Sequence, residues 1–243
     1  MDVSTSTSTL ATVDGAMELY EAEPDGEARG AIVVIQEAFG VNDHIQDVTR
    51  RFAAAGYHAV APALFHRAGG GSAAYDDFAQ VLTLFADVSD DGVLVDIDAS
   101  LEHLRTVGFT DANIGVVGFC FGGRVAFLVA ARRALGAAVT FYGGGIAEQG
   151  ALPFPPLIEE AGALRTPWLG LFGDLDTHIP VEGVEELRAE VRAAKVDTQI
   201  IRYPDAEHAF NCDARAGYHQ ESALDGWQRT LDWFAGHLEA GHR

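Results

Sequence analysis

Six short apolar runs constrain this chain more than anything else in it. They are Ala31 to Ile35, Ala59 to Pro62, Ile114 to Phe119, Ala137 to Phe141, Trp168 to Phe172 and Gln199 to Tyr203. Runs this short and this continuously apolar fit strands buried on both faces. Between them the apolar residues change to helical spacing. Ile45, Val48, Phe52 and Ala55 share one face, as do Val93, Ile97, Leu101 and Leu104. Val184, Leu187 and Val191 repeat the pattern, and Leu224 to Leu238 places Trp227, Leu231 and Phe234 at helical intervals. Strands alternating with helices predict an α/β fold, a mostly parallel central sheet with helices on both faces.

The 243 residues suit one α/β domain of ordinary size. The polar start MDVSTSTST has no basic region followed by an apolar one, so it is not read as a signal peptide. Residues 1–12 are expected to be a flexible segment, and 13–243 a single domain. Residues 66–76 (HRAGGGSAAYD) and 143–157 (GGGIAEQGALPFPPL) read as long connections after strands, where loops build a pocket.

Thirty-six acidic residues against sixteen Lys and Arg give a formal charge of −20. That excludes the basic footprint a nucleic-acid partner needs and argues against anionic lipid. No apolar run is long enough to span a bilayer. Two cysteines, Cys120 and Cys212, make no disulfide scaffold, and with no export signal a cytoplasmic location is expected.

Cys120 stands in Gly118-Phe119-Cys120-Phe121-Gly122-Gly123, at the end of an apolar run and before a helix-like stretch expected over Phe121 to about Leu135. A nucleophile between strand and helix must occupy a very tight turn. The residues two before and two after it then meet neighbouring backbone, which asks for glycine at both. A thiol there faces a helix N-terminus, where unpaired N–H groups favour an anion. The Phe121 N–H points where an oxyanion forms. The bland alternative is a structural cysteine beside a closely packed helix.

A cysteine nucleophile needs a base, and the base an orienting group. Downstream, Gly173-Asp174-Leu175-Asp176-Thr177-His178 ends one strand, and Tyr203-Pro204-Asp205-Ala206-Glu207-His208 ends another. Nucleophile, acid, histidine is the chain order of α/β-hydrolase triads. Asp176 lies far enough past the strand to turn back toward the site, whereas Asp174 suits a helix cap near Val181. A metal site of Asp174, Asp176, His178 and His208 lacks ligand spacing, and no cofactor is expected. Cys212, four residues past His208, reads as pocket wall rather than a second redox thiol.

Gln36-Glu37-Ala38-Phe39-Gly40-Val41-Asn42, the Gly118–Gly123 turn, the Gly173–Pro180 stretch and Ala206-Glu207-His208-Ala209-Phe210 together resemble the dienelactone hydrolases, over roughly Met17 to Phe234. These are α/β-hydrolases with a Cys-Asp-His triad. The resemblance implies Cys120 as nucleophile, His208 as base and Asp176 as orienter. It implies an oxyanion hole from the backbone N–H groups of Ala38 and Phe121. It also implies that Glu37 contacts the resting cysteine and holds it partly as a neutral thiol.

This chain departs from the family where members grip anionic dienelactones with arginines. One such position is Cys212; the other falls between Gly71 and Val88, which holds no Arg or Lys. Ala209 stands where those enzymes have serine. The candidate pocket wall (Phe39, Leu64, Phe65, Tyr142, Phe210 and Cys212) is apolar to aromatic and suits a neutral ester or lactone. A phosphotriester, also neutral and electrophilic, is a side substrate of the same chemistry. The rival reading is a catalytically idle α/β-hydrolase fold used as a small-molecule receptor. Either a monomer or a homodimer fits.

Overall fold

In the computed structural model of the chain, residues 3–239 are described; Met1, Asp2 and 240–243 lie outside them. The described residues divide into two compact units, 3–116 with 239, and 117–238.

The first unit opens with β1 (Val3–Thr12) and β2 (Gly15–Pro24). They pair antiparallel from Val3 opposite Pro24 to Thr12 opposite Gly15. The expectation of a flexible start is therefore corrected over residues 3–12. The Ser/Thr alternation has no apolar run to announce it, yet β-branched residues suit a pleated surface with one wet face. Gly15 closes the turn at φ 133°, accessible to glycine. β2 runs antiparallel to β4 (His58–Pro62), with Glu21 opposite Val60, and β4 parallel to β3 (Ala31–Ile35). β3 and β4 are buried along their whole length.

Three helices complete this unit, each started by a side chain that accepts a backbone N–H. Asn42 caps α1 (Asp43–Ala54), Asp77 caps α2 (Phe78–Leu84) and Ser89 caps α3 (Asp90–Thr106). Val93, Ile97, Leu101 and Leu104 form the buried face of α3, with Asp96 and Ser100 among them.

β5 (Ile114–Phe119) leads into the second unit, where β6 (Ala137–Phe141), β7 (Trp168–Gly173) and β8 (Thr198–Tyr203) are parallel neighbours. Each expected strand is present, and the alternation with α4 (Phe121–Arg132), α5 (Val181–Glu190) and α6 (Gln220–His237) gives the α/β class. α4 stops three residues short of Leu135, because the Thr166 hydroxyl donates to Arg133 O at 2.7 Å and accepts from Leu135 N at 2.9 Å, holding that segment extended.

α6 buries a different stripe from the expected one. Ala223, Gly226, Thr230 and Phe234 face inward, while Trp227 and Leu231 are only half-buried. Gly226 explains the rotation: a Cβ there would stand 3.1 Å from the Phe141 ring, so the helix approaches on its small residues. Among the described residues no helix is long and apolar enough to cross a membrane.

Candidate active site

Cys120 occupies the turn between β5 and α4 with φ 54° and ψ −116°, a left-handed conformation unusual for a side-chain-bearing residue. Such a conformation costs on the order of 1–3 kcal/mol and persists only where its surroundings impose it. Those surroundings are visible. Cys120 N–H donates to Phe141 O at 3.1 Å, and Cys120 O accepts from Gly123 N at 2.9 Å. A Cβ on Gly118 would collide with the Gly122 carbonyl, and one on Gly123 would reach Phe141 O at 2.5 Å. The glycines at both positions are thus required sterically. Cys120 is half-buried, at the N-terminus of an almost wholly buried helix.

Asp176 follows β7 and is buried. Its Oδ2 lies 2.6 Å from His208 Nδ1, and its Oδ1 accepts from His178 N at 2.8 Å. Cys120 interacts electrostatically with the same His208 ring. Burial pulls the His208 pKa down, but the electrostatic interaction with Cys120 and the bond to Asp176 outweigh it and push it up to about 10. Asp176 is therefore bonded to His208, and Cys120 acts electrostatically on the same ring.

Asp174 is committed elsewhere. Arg202 forks onto it, Nε to Oδ1 and Nη2 to Oδ2, each at 2.7 Å. It does not cap α5, as the sequence suggested; Pro180 holds that position with no side-chain cap. Of the four residues weighed as a metal set, Asp174 is turned to Arg202, while Asp176 and His208 bond each other. His178 is an exposed loop residue whose ring meets the His208 ring edge-on at 5.6 Å.

The expected pocket residues fall three in each unit, and all six are buried. In the second, Tyr142 meets the His208 ring at 5.2 Å and the Phe210 ring at 5.2 Å. Phe210 also packs on Phe141 and Tyr203, and Cys212 N donates to Ala209 O at 2.9 Å. In the first, Phe39 meets Tyr75 at 4.8 Å and Phe65 meets Phe85 at 5.1 Å. Gln36 accepts from Leu64 N at 3.1 Å, tying the end of β3 to the Leu64–Phe65 stretch. Glu37 is buried and Ala38 half-buried just beyond β3.

None of those six lines the cleft that opens in the second unit. It is a shallow, open cleft bounded among others by Gly143, Ile146, Glu148, His178, Ile179 and Leu187. Sequence reasoning also passed over Arg124 and the backbone of Tyr142. Arg124 is buried, donates to Gly145 O at 3.2 Å and Pro155 O at 2.6 Å, and lies over the Phe154 ring at 5.0 Å. It pins the 143–157 loop from inside α4. Tyr142 sits at φ 37°, a second left-handed side-chain-bearing residue, against the His208 ring. No residue-type signal marks that.

Comparison with known proteins agrees with this geometry. The model of the dienelactone hydrolase family matches residues 17–238. A Yersinia pestis protein named "Putative carboxymethylenebutenolidase" is 43% identical over 233 residues, covering 94% of this chain and 87% of that one. A crystal structure from Klebsiella pneumoniae, titled a "Putative Dienelactone Hydrolase", superposes with a TM-score of 0.88 at 38% identity, over 97% of this chain and 99% of that one. A dienelactone hydrolase-like promiscuous phosphotriesterase from metagenomic libraries superposes at 0.74, over 97% and 99%; at 24% identity it shares the fold alone.

Proposed function

The chain belongs to the dienelactone hydrolase family, and from that premise we propose that it is a cofactor-free hydrolase of neutral, activated esters or lactones that works through a Cys120 acyl-enzyme. The observation that carries the reading is the Asp176–His208 hydrogen bond, with Cys120 acting on the same ring from a left-handed strand-to-helix turn.

Cys120 Sγ attacks the carbonyl carbon while His208 holds its proton. The carbonyl oxygen takes up negative charge and accepts from the backbone N–H groups of Ala38 and Phe121. Collapse breaks the C–O bond, and His208 gives its proton to the departing alkoxide; in a lactone that oxygen stays tethered to the acyl chain. The product is a thioester. His208 then takes a proton from water, the water oxygen attacks, and the sulfur leaves. Asp176 keeps Nδ1 protonated and the ring aligned throughout. Glu37 modulates the resting thiol, the role the family resemblance implies.

A thiolate leaves as readily as it attacks, which favours strained or activated substrates over amides. The apolar side chains at Tyr142, Phe210 and Cys212, and a surface of −20, favour neutral substrates over anionic dienelactones. Neutral phosphotriesters fall within the same chemistry as a side activity. A cytoplasmic site of action, with small molecules rather than nucleic acids or membranes as partners, completes the proposal.

The test is a panel of p-nitrophenyl esters, neutral lactones, an anionic dienelactone and a phosphotriester, with intact-mass analysis of quenched turnover. An acyl adduct on Cys120 and at least tenfold higher kcat/KM for neutral substrates are expected. Full turnover by Cys120→Ala sinks the mechanism. Preference for the anionic dienelactone sinks the substrate class. Ligand binding with no burst and no turnover across the panel would favour a receptor.

A further inference from the structure

Glu21, His58 and His103 lie outside everything the proposed reaction uses. Glu21 stands opposite Val60 in the β2–β4 pairing. Side chains two apart share a sheet face, so His58 stands on the same side as Glu21. The last turn of α3 delivers His103 there. Glu21 Oε1 is 3.1 Å from His58 Nε2, and Oε2 is 2.8 Å from His103 Nε2. One donor atom from each residue lies within 4.8 Å of the other two. The side chains are 10%, 3% and 20% exposed in the order Glu21, His58, His103, so the group is closed behind His58 and reachable past His103.

We propose that Glu21, His58 and His103 form a binding site for a divalent first-row transition ion, zinc being the fitting case. Two imidazoles and one carboxylate suit zinc, nickel or copper, whereas calcium and magnesium ask for oxygen ligands throughout. Water completes a tetrahedron. Donors about 2.0–2.1 Å from zinc lie about 3.3 Å from one another, so the two carboxylate–imidazole contacts open by a few tenths of an ångström while the three donor atoms, now within 4.8 Å of one another, draw onto one ion.

The bonds balance simply. Each ring proton now directed at Glu21 moves to Nδ1, and the ion replaces two N–H···O bonds with two nitrogen–metal bonds and one oxygen–metal bond. Among the described residues His58 Nδ1 has no hydrogen-bond partner, so no neighbour locks the present tautomer. The strongly negative chain also concentrates cations around itself.

The test titrates full-length protein with Zn²⁺ by calorimetry and with Co²⁺ by absorption, in wild type, Cys120→Ser, His103→Ala and His103→Gln. Cys120→Ser is included because a thiol beside histidine also attracts these ions. One ion per chain is expected, retained in Cys120→Ser and weakened at least tenfold in both His103 variants. The cobalt complex should show d–d bands without a thiolate charge-transfer band. Zn²⁺ should raise Tm in wild type and Cys120→Ser but not in either His103 variant, with ester turnover unchanged by the ion in wild type. Loss of binding in Cys120→Ser, a thiolate band, or unchanged affinity in a folded His103 variant overturns the site and leaves the cluster a hydrogen-bonded strap between strand and helix.

Discussion

Each unit of the molecule buries carboxylates against histidine, and Asp176 and Glu21 are wired differently. In the second, Asp176 holds one nitrogen of His208 and Cys120 engages the same ring. In the first, Glu21 divides its two oxygens between two rings, and His58 Nδ1 has no partner among the described residues. A histidine–carboxylate pair is therefore not in itself a general base. It becomes one when the second nitrogen faces a nucleophile whose charge changes during the reaction. Where no nucleophile is supplied, the same groups cross-link the fold or hold a cation.

The largest effect should come from removing the nucleophile. Cys120→Ala is expected to lower kcat/KM for an activated ester by at least about 10³-fold with an unchanged circular dichroism spectrum. The same substitution should move His208. With the sulfur's charge gone, its pKa should fall from about 10, read by ring nitrogen chemical shifts against pH. The sign follows from linkage. A raised histidine pKa contributes stability that is complete below the ordinary histidine range and fades as pH rises toward 10. That contribution should shrink in Cys120→Ala. A ring that still titrates near 10 would break the comparison, because Asp176 alone would then hold the pKa up against burial.

Next in size is Asp176→Asn, expected to cost about 10²–10⁴ in kcat, since the amide favours the wrong tautomer of His208. Its counterpart in the other unit should leave kcat unchanged. Glu21→Gln is expected to lose about 1–3 kcal/mol of stability in urea unfolding at neutral pH, the penalty for disturbing buried hydrogen bonds. Glu21 has a depressed pKa, so its contribution is present above the ordinary carboxylate range and disappears as pH falls through the depressed value. Wild type and Glu21→Gln should converge in acid. Equal stability at pH 7 would mean that Glu21 does no structural work without an ion.

The two wirings were not equally legible. Cys120, Asp176 and His208 follow strand ends, and tight turns there demand glycine, so residue type and spacing carried the signal. Glu21, His58 and His103 meet across separations of 37 and 82 residues, on elements with no motif at all. Glu21 sits in a hairpin whose first strand has too few apolar residues to stand out, so its register was invisible until β2 paired with β4. Apolar periodicity located β3 and β4 but could not say which polar side chains share a face across strands. The rotated face of α6 failed for the opposite reason: Trp227 and Leu231 were weighted by size, whereas Gly226 sets the approach.

The smallest expected effect sharpens the contrast most, because it isolates what a carboxylate is paired with. Asp174 lies two residues from Asp176 on the same turn but takes a guanidinium instead of an imidazole. Arg202 and Asp174 are part-exposed, with 29% and 20% of their side chains accessible, so water screens the pair. Asp174→Asn is expected to cost less than about 1 kcal/mol, and less still in high salt. Its kcat should stay within about twofold of wild type, against the 10²–10⁴ expected at Asp176. A kcat loss at Asp174 comparable to that at Asp176 would mean that the Arg202 fork positions the whole turn. Orientation of His208 would then depend on the pair of acids together, and the single bond from Asp176 Oδ2 would no longer separate a catalytic carboxylate from a structural one.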